Sequence, residues 1–307
     1  WMTDVARRHK RIIQCGTQQR SGRHYQSAKK VLNDGYIGKI FSVRMASFRN
    51  IYPGFGTPTT NAAPSEFNYD MWLGPAPSRP FSPHRGLYHF RWFWDYSGGQ
   101  MTNLGAHEID ILHFFMNVKG PTAVTSSGGR FVLKDDGETP DTQDAIFEYP
   151  GFTAVWSQRE ASRGQGPVKS QYLGPYGHLS ISRSGWEVTP DPKAPPENAI
   201  PVFKGQPTGG VARKESKPEL WIEPRKEPGS SDEQFDLHVR NFVDCVKTRQ
   251  RPIADVEDGH RTAVACHLAN ISLRTGRKIR WDADQEVILN DKEASAMLER
   301  PYRKTWD

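Results

Sequence analysis

The segment Gly98-Gly99-Gln100-Met101-Thr102-Asn103-Leu104-Gly105-Ala106-His107-Glu108-Ile109-Asp110 gathers the side chains best suited to proton chemistry. Histidine exchanges a proton near neutral pH, so a histidine held in a fixed place can work as an acid or a base. Gly98 and Gly99 permit a tight backbone turn that bulkier residues resist. The apolar-rich run Leu104–Met116 behind that turn is long enough for three or more helical turns. On a helix, Asn103 and His107 are four positions apart and His107 and Asp110 three, so all three share one face. A polar stripe in a helix otherwise rich in Leu, Ile and Phe costs desolvation unless it is satisfied or used. Two readings stay open from spacing alone. His107 is a working acid or base, or it is a core histidine hydrogen-bonded to Asn103.

The elements around this helix follow from periodicity. Residues 1 to 10 read as the end of a helix and 11 to 15 as a short strand. Tyr25, Ala28, Val31 and Leu32 mark a helix over 22–34 that Gly35 terminates. The alternation of Phe41, Val43, Met45 and Phe48 predicts a strand within 39–49. Residues 50–83, rich in Pro, Gly, Asn and Thr, read as a long loop of the kind that often lines a site. Stretches 122–132, 144–149 and 153–158 form an expected antiparallel meander, and 176–182 with 185–188 a hairpin. From about 190 to 231 the chain is polar and proline-rich, which predicts an irregular excursion. Phe235, Val239, Phe242, Val243 and Val246 fall on one side of a helix over 233–248. A second helix over 258–273 stops near Gly276, and short strands at 278–281 and 287–289 precede a last helix over 291–298. Strands grouped with helices to one side predict an α+β fold, an open and mostly antiparallel sheet.

Composition narrows the class. A chain of 307 residues can bury a sizeable core, and 36% hydrophobic with 25% charged residues suits a globular protein. No apolar run approaches the roughly twenty residues that span a bilayer. The net charge of +6 is spread through pairs such as Arg7-Arg8, Lys29-Lys30 and Arg225-Lys226, interrupted by acids such as Glu215 and Glu219. A solvated surface explains it better than a nucleic-acid stripe. Cys15, Cys245 and Cys266 are far apart and odd in number, which predicts reduced, mostly buried thiols. Cys266 and His267 with His260 suggest a helix face before they suggest a metal site, and no metal is expected.

The motif Gly98-Gly99-Gln100-x-x-Asn103-x-Gly105-x-His107-x-x-Asp110 resembles the signature helix of the Gfo/Idh/MocA oxidoreductases, which usually reads G-G-G-x-x-x-D-x-G-x-H-x-x-D. Residues 14–22 resemble the end of that family's nucleotide domain, and 28–40 its crossover helix and the entry to the second domain. Tyr69-Asp-Met-Trp-Leu-Gly-Pro-Ala-Pro77, Arg91-Trp-Phe-Trp-Asp-Tyr96, residues 252–260 and residues 270–276 are similar to further stretches, so the resemblance covers nearly the whole chain. It implies residues 1–22 as the tail end of a Rossmann nucleotide-binding domain and 23–307 as a substrate-binding and oligomerisation domain with helices on one face of its sheet. The family's G-x-G-x-x-G turn and its E-K-P motif do not occur here. Most of the nucleotide domain is therefore expected to be missing, and this chain alone to bind a dinucleotide poorly.

The resemblance implies oxidation of a sugar, inositol or related polyol hydroxyl by hydride transfer to NAD or NADP. His107 matches the family histidine and is the candidate base. Asn103 stands where many relatives have Asp; an amide cannot take a proton, so it is expected to orient His107 or a substrate hydroxyl. Gln18, Gln19, Arg20 and Arg91 are the candidate cofactor contacts, with a solvated turn the other reading of 18–20. Trp92 and Asp110 are the candidate substrate contacts, with a core role open for Trp92 and a structural role orienting the helix or a loop open for Asp110. A redox glycosidase of the same superfamily and a non-catalytic dimerising module are the competing readings. A homo-oligomer through an apolar sheet face around 144–158, and a cytoplasmic setting by default, complete the expectations.

Overall fold

One row of side chains explains the layout. Ser126, Ala145, Trp156 and Met45 stand side by side across four neighbouring strands, all buried beneath helices. The computed structural model describes residues 1–58, 62–86, 88–164, 170–193 and 219–303. Its strands are β1 (Ser42–Phe48), β2 (Ala123–Gly129), β3 (Thr142–Tyr149), β4 (Phe152–Arg159), β5 (Ser170–Gly174), β6 (Gly177–Ser182), β7 (Gly185–Pro190), β8 (Arg225–Pro228), β9 (Ile279–Asp282) and β10 (Val287–Ile288). They form a ten-stranded sheet in the order β10-β9-β2-β3-β4-β1-β5-β6-β7-β8. Only β1 and β4 run parallel, with Ser42 opposite Thr153; the other neighbours are antiparallel.

The helices are α1 (Met2–Arg8), α2 (Arg23–Asn33), α3 (Tyr69–Leu73), α4 (Gly99–Thr102), α5 (Leu104–Met116), α6 (Ser231–Thr248), α7 (Val256–Thr275) and α8 (Lys292–Ala296). Helix α5 packs on β1, α7 on β2 and β9, and α2 on β7. Burial alternates along β3 and β4, as a sheet covered on one face requires. Trp156, Tyr172, Phe147 and Phe115 are fully buried, and the rings of Phe115 and Tyr172 lie 5.2 Å apart. Each such side chain contributes on the order of 1.5–3 kcal/mol by leaving water. Side-chain oxygens of Ser230 and Asp255 cap α6 and α7 by accepting from Glu233 and Glu257 N–H groups.

The α+β reading and the long motif helix agree with this structure. Several expectations change. Residues 11–15 make only an isolated bridge, Gln14 to Asp255, and β5 and the edge strand β8 were not anticipated. The 50–83 loop contains α3, and most of the expected excursion, 194–218, lies outside the described residues. The apolar stripe of α6 faces outward: Phe235, Val239, Phe242 and Val246 are exposed, while Gln234, His238 and Cys245 face in. On the inner face, His238 bonds to Cys15 O at 2.8 Å and to Ser21 Oγ at 2.8 Å. The sheet face away from the helices is not broadly apolar either. Thr125, Ser127, Asp144, Glu148, Thr153 and Ser157 stand on it, with Ile146 as an exposed exception.

His113 on α5 makes the fold acid-sensitive. It is buried, its Nε2 lies 2.9 Å from Tyr149 Oη, and burial followed by the charge of Arg20 pushes its pKa down to about 3. The unfolded chain therefore protonates first, so the stability from neutral His113 is full above about pH 6.5 and is lost as pH falls toward the folded value. Urea denaturation is expected to show a loss on the order of a few kcal/mol between about pH 7 and pH 4. His113→Gln should flatten that dependence; an unchanged slope would remove His113 as its source.

Candidate functional site

The turn before α5 is built for glycine. Gly99 sits at φ +70°, and a Cβ there would stand 2.8 Å from Thr139 Cβ; one on Gly98 would strike the amide of Asn270. Asn270 on α7 donates to Gly98 O at 2.9 Å and accepts from Gln143 on β3 at 3.3 Å, so helix, turn and sheet are tied together. Gly105 lets α5 lie close on β4, where a Cβ would be 3.3 Å from the Trp156 ring. Asn103 itself breaks the helical path, at φ −99° and ψ −89°, and so caps α5 from outside it.

His107 stands one turn into α5 and is half-buried. Its Nδ1 is buried with no hydrogen-bond partner among the described residues, a state that costs free energy unless another group completes it. Burial, followed by the positive charge of Arg183, lowers its pKa to about 4. At neutral pH the ring is therefore an uncharged imidazole, able to accept a proton. Glu108, its neighbour in sequence, turns elsewhere: Ser170 Oγ donates to it at 2.5 Å and Gln19 Nε2 at 3.3 Å, while burial pushes its carboxyl up.

Asn103 does not hydrogen-bond to His107. Its Nδ2 donates to Gln100 Oε1 at 3.1 Å, and Gln100 Nε2 in turn donates to the buried carboxylate of Glu160 at 3.0 Å. Arg49 Nε at 3.0 Å and Trp92 Nε1 at 2.8 Å also donate to Glu160. This chain of bonds fixes the Asn103 amide and leaves its Oδ1 without a hydrogen-bond partner among the described residues. Sequence reasoning missed Glu160, Arg183 and Glu108, since nothing in their local spacing ties them to the motif.

The other candidates separate. Asp110, three residues from His107, is fully buried and spent on an interior pair: Arg20 Nε donates to it at 2.8 Å, and Thr262 Oγ1 at 3.3 Å. Arg20 also reaches Asp258 at 3.2 Å and Ile253 O at 3.2 Å. Gln18 and Gln19 are buried, and Gln19 donates to Tyr25 Oη at 2.8 Å. A dinucleotide's phosphates need free N–H donors at a helix or loop terminus. Gln19 and Arg20 do not fit that need: Gln19 donates to Tyr25 and Glu108, and Arg20 turns Nε and Nη1 to Asp110, Asp258 and Ile253 O inside the fold. Trp92 is buried and turns its N–H to Glu160 rather than offering a ring face. Arg91 stays near its own turn, 2.7 Å from Tyr88 O and over the rings of Tyr88 and Phe90.

A family profile described as an oxidoreductase family C-terminal alpha/beta domain matches residues 21–127 and 230–307, more than half of the sequence. The chain belongs to the Gfo/Idh/MocA oxidoreductase family. Among solved structures, it is similar to aldose-aldose oxidoreductase from Caulobacter crescentus, with 16% identity, a TM-score of 0.58, and 91% of this chain and 67% of that one covered. Myo-inositol 2-dehydrogenase from Lactobacillus plantarum is similar at 18% identity, TM-score 0.55, covering 91% of this chain and 68% of the other. The WlbA dehydrogenase from Bordetella pertussis, in complex with NADH and UDP-GlcNAcA, is similar at 18% identity, TM-score 0.55, covering 92% and 66%. Identities this low establish the shared Gfo/Idh/MocA fold. No curated protein matches the sequence. The chain spans about two thirds of the length of these relatives.

Two substitutions test how the site is held. Arg183→Gln removes a positive charge that disfavours imidazolium, so an NMR titration of the His107 ring should move its midpoint upward from about 4. An unmoved midpoint would mean that burial alone sets it. Gly99→Ala should lower stability by about 1–3 kcal/mol, from φ strain and the Thr139 contact together; a neutral result in thermal denaturation would refute the glycine requirement.

Proposed function

We propose that this chain provides the substrate side of an NAD(P)-dependent dehydrogenase that oxidises a hydroxyl of a sugar, inositol or related polyol, with His107 as the base. The observation that carries the reading is the state of His107: a part-accessible, uncharged imidazole with one ring nitrogen unpartnered, set behind a rigid glycine turn. Loss of hydride from an alcohol carbon requires the hydroxyl proton to go somewhere, and a neutral imidazole within reach takes it. Asn103, held by Gln100 and Glu160, offers a carbonyl oxygen that accepts a hydrogen bond from a neighbouring substrate hydroxyl. An amide stays uncharged, so it orients without competing for the proton.

The choice of polyol chemistry and of NAD or NADP is supported by the relatives, which include a myo-inositol 2-dehydrogenase and a dehydrogenase in complex with NADH. The role assigned to this chain is the proton side alone, because Gln19 and Arg20 offer no cradle for phosphates. Calorimetry of this chain with NAD and NADP should therefore show negligible binding, and micromolar affinity for either would overturn that assignment.

In the holoenzyme, His107→Ala should slow the chemical step about a hundredfold to ten-thousandfold, the usual range for a lost general base. Cofactor binding and thermal stability should stay close to those of the parent, and the ascending limb of the pH–rate profile should vanish. Asn103→Asp should move that limb to higher pH, since a nearby carboxylate favours imidazolium. A lower melting temperature with turnover per folded molecule unchanged would make His107 a core residue instead.

A further inference from the structure

A cavity of about 760 Å³ lies away from the His107 side chain, which does not line it. It opens beside α7, between that helix, Trp1, the loop 94–98 and the segment 297–302, and it borders the turn before α5 at Gly98 and Asn270. Trp94, Tyr96 and Tyr302 supply aromatic walls, and His267, Arg274 and Arg300 supply nitrogen donors. A second cavity of about 290 Å³ shares Trp94, Arg274, Met297, Glu299, Arg300 and Tyr302, so these residues stand where the two meet.

The charge at this place is positive in excess, two guanidinium groups against one carboxylate. Arg274 lies over the Trp94 ring at 5.2 Å, and among the described residues it has no ion-pair partner. Arg300 donates to the main-chain oxygen of Asp95 at 2.6 Å, but the Asp95 carboxylate is taken by Arg79 at 2.7 Å. Glu299 is the single acidic residue lining the cavity, against two guanidinium groups. His267 lines the cavity as well, and burial followed by the nearby charge of Arg300 lowers its pKa.

We infer that this cavity is a second binding site, separate from His107, for a ring-shaped small anion such as a sugar bearing a carboxylate or a phosphate. The two guanidinium groups, with five donors each in a planar fork, suit a carboxylate or phosphate oxygen pair. The aromatic walls suit the apolar face of a sugar ring. A volume of this size falls within the ordinary range for small-molecule sites, roughly 300–1,000 Å³. An uncharged sugar would leave both arginines unanswered and is the disfavoured ligand.

The test is calorimetric titration of the chain with glucuronate, glucose 6-phosphate and glucose. Binding of either anion, at least tenfold tighter than glucose, is expected, weakening with added salt. Arg274→Gln and Arg300→Gln should each reduce anion affinity about tenfold or more with the melting temperature unchanged. His107→Ala should leave anion binding as it was, which keeps this result separate from the fate of the base assigned above. The inference is overturned if neither anion binds, if glucose binds equally well, if both arginine variants bind like the parent, or if His107→Ala abolishes binding. Should the arginine variants unfold, chemical-shift changes confined to the Trp94 indole and the His267 ring on adding glucuronate decide the matter. Shifts elsewhere, or none, would overturn it.

Discussion

The seating of α5 against the sheet is the constraint on which the candidate site depends. Gly105 brings the helix within contact of Trp156, and Gly98 and Gly99 let the chain turn sharply enough to enter it. Asn270 from α7 holds the turn by its carbonyl. A helix displaced outward by even one methyl group would carry His107 with it, because interiors this well packed do not yield locally. His107 and its surroundings are thus placed by backbone close approach, not by a hydrogen bond to the ring itself.

Charge is managed differently on the two sides of α5. Toward α7 and the 3-10 turn Gln18–Ser21, Asp110, Arg20 and Asp258 neutralise one another inside the protein. Removing one partner of such a buried pair strands the other and costs about 3–5 kcal/mol, so the group specifies the docking of the N-terminal segment more than it stabilises it. At His107 no carboxylate answers the ring. Burial and Arg183 act in the same direction, and the imidazole stays uncharged. One face of the helix is an ion-pair lock, and the next holds an uncharged ring.

A second network runs from Arg49 through Glu160 and Gln100 to Asn103. It draws on the residues that follow β1 and β4 and on the turn, so a buried carboxylate far along the chain sets the orientation of an amide at the site. Trp92 belongs to the same network through its indole N–H. This is why Trp92 serves the site by bracing Glu160 from inside the loop cluster rather than by stacking on a substrate.

By itself the sequence determined the local elements: the glycine turn, the helix Leu104–Met116, the meander through β2, β3 and β4, and the family to which the motif points. These are legible because turn chemistry and apolar periodicity are written in adjacent residues. Only the tertiary structure decided what the polar residues do. Asp110 shares a sequence motif with His107 but is claimed by Arg20, ninety positions away. Asn103 is claimed by Gln100 rather than His107, and the apolar stripe of α6 looks outward while His238 turns inward to Cys15 O and Ser21 Oγ. Periodicity tells which residues share a face of one element. Which charge meets which, and whether a ring is left neutral, depends on packing between segments remote in sequence, and on the desolvation that packing imposes.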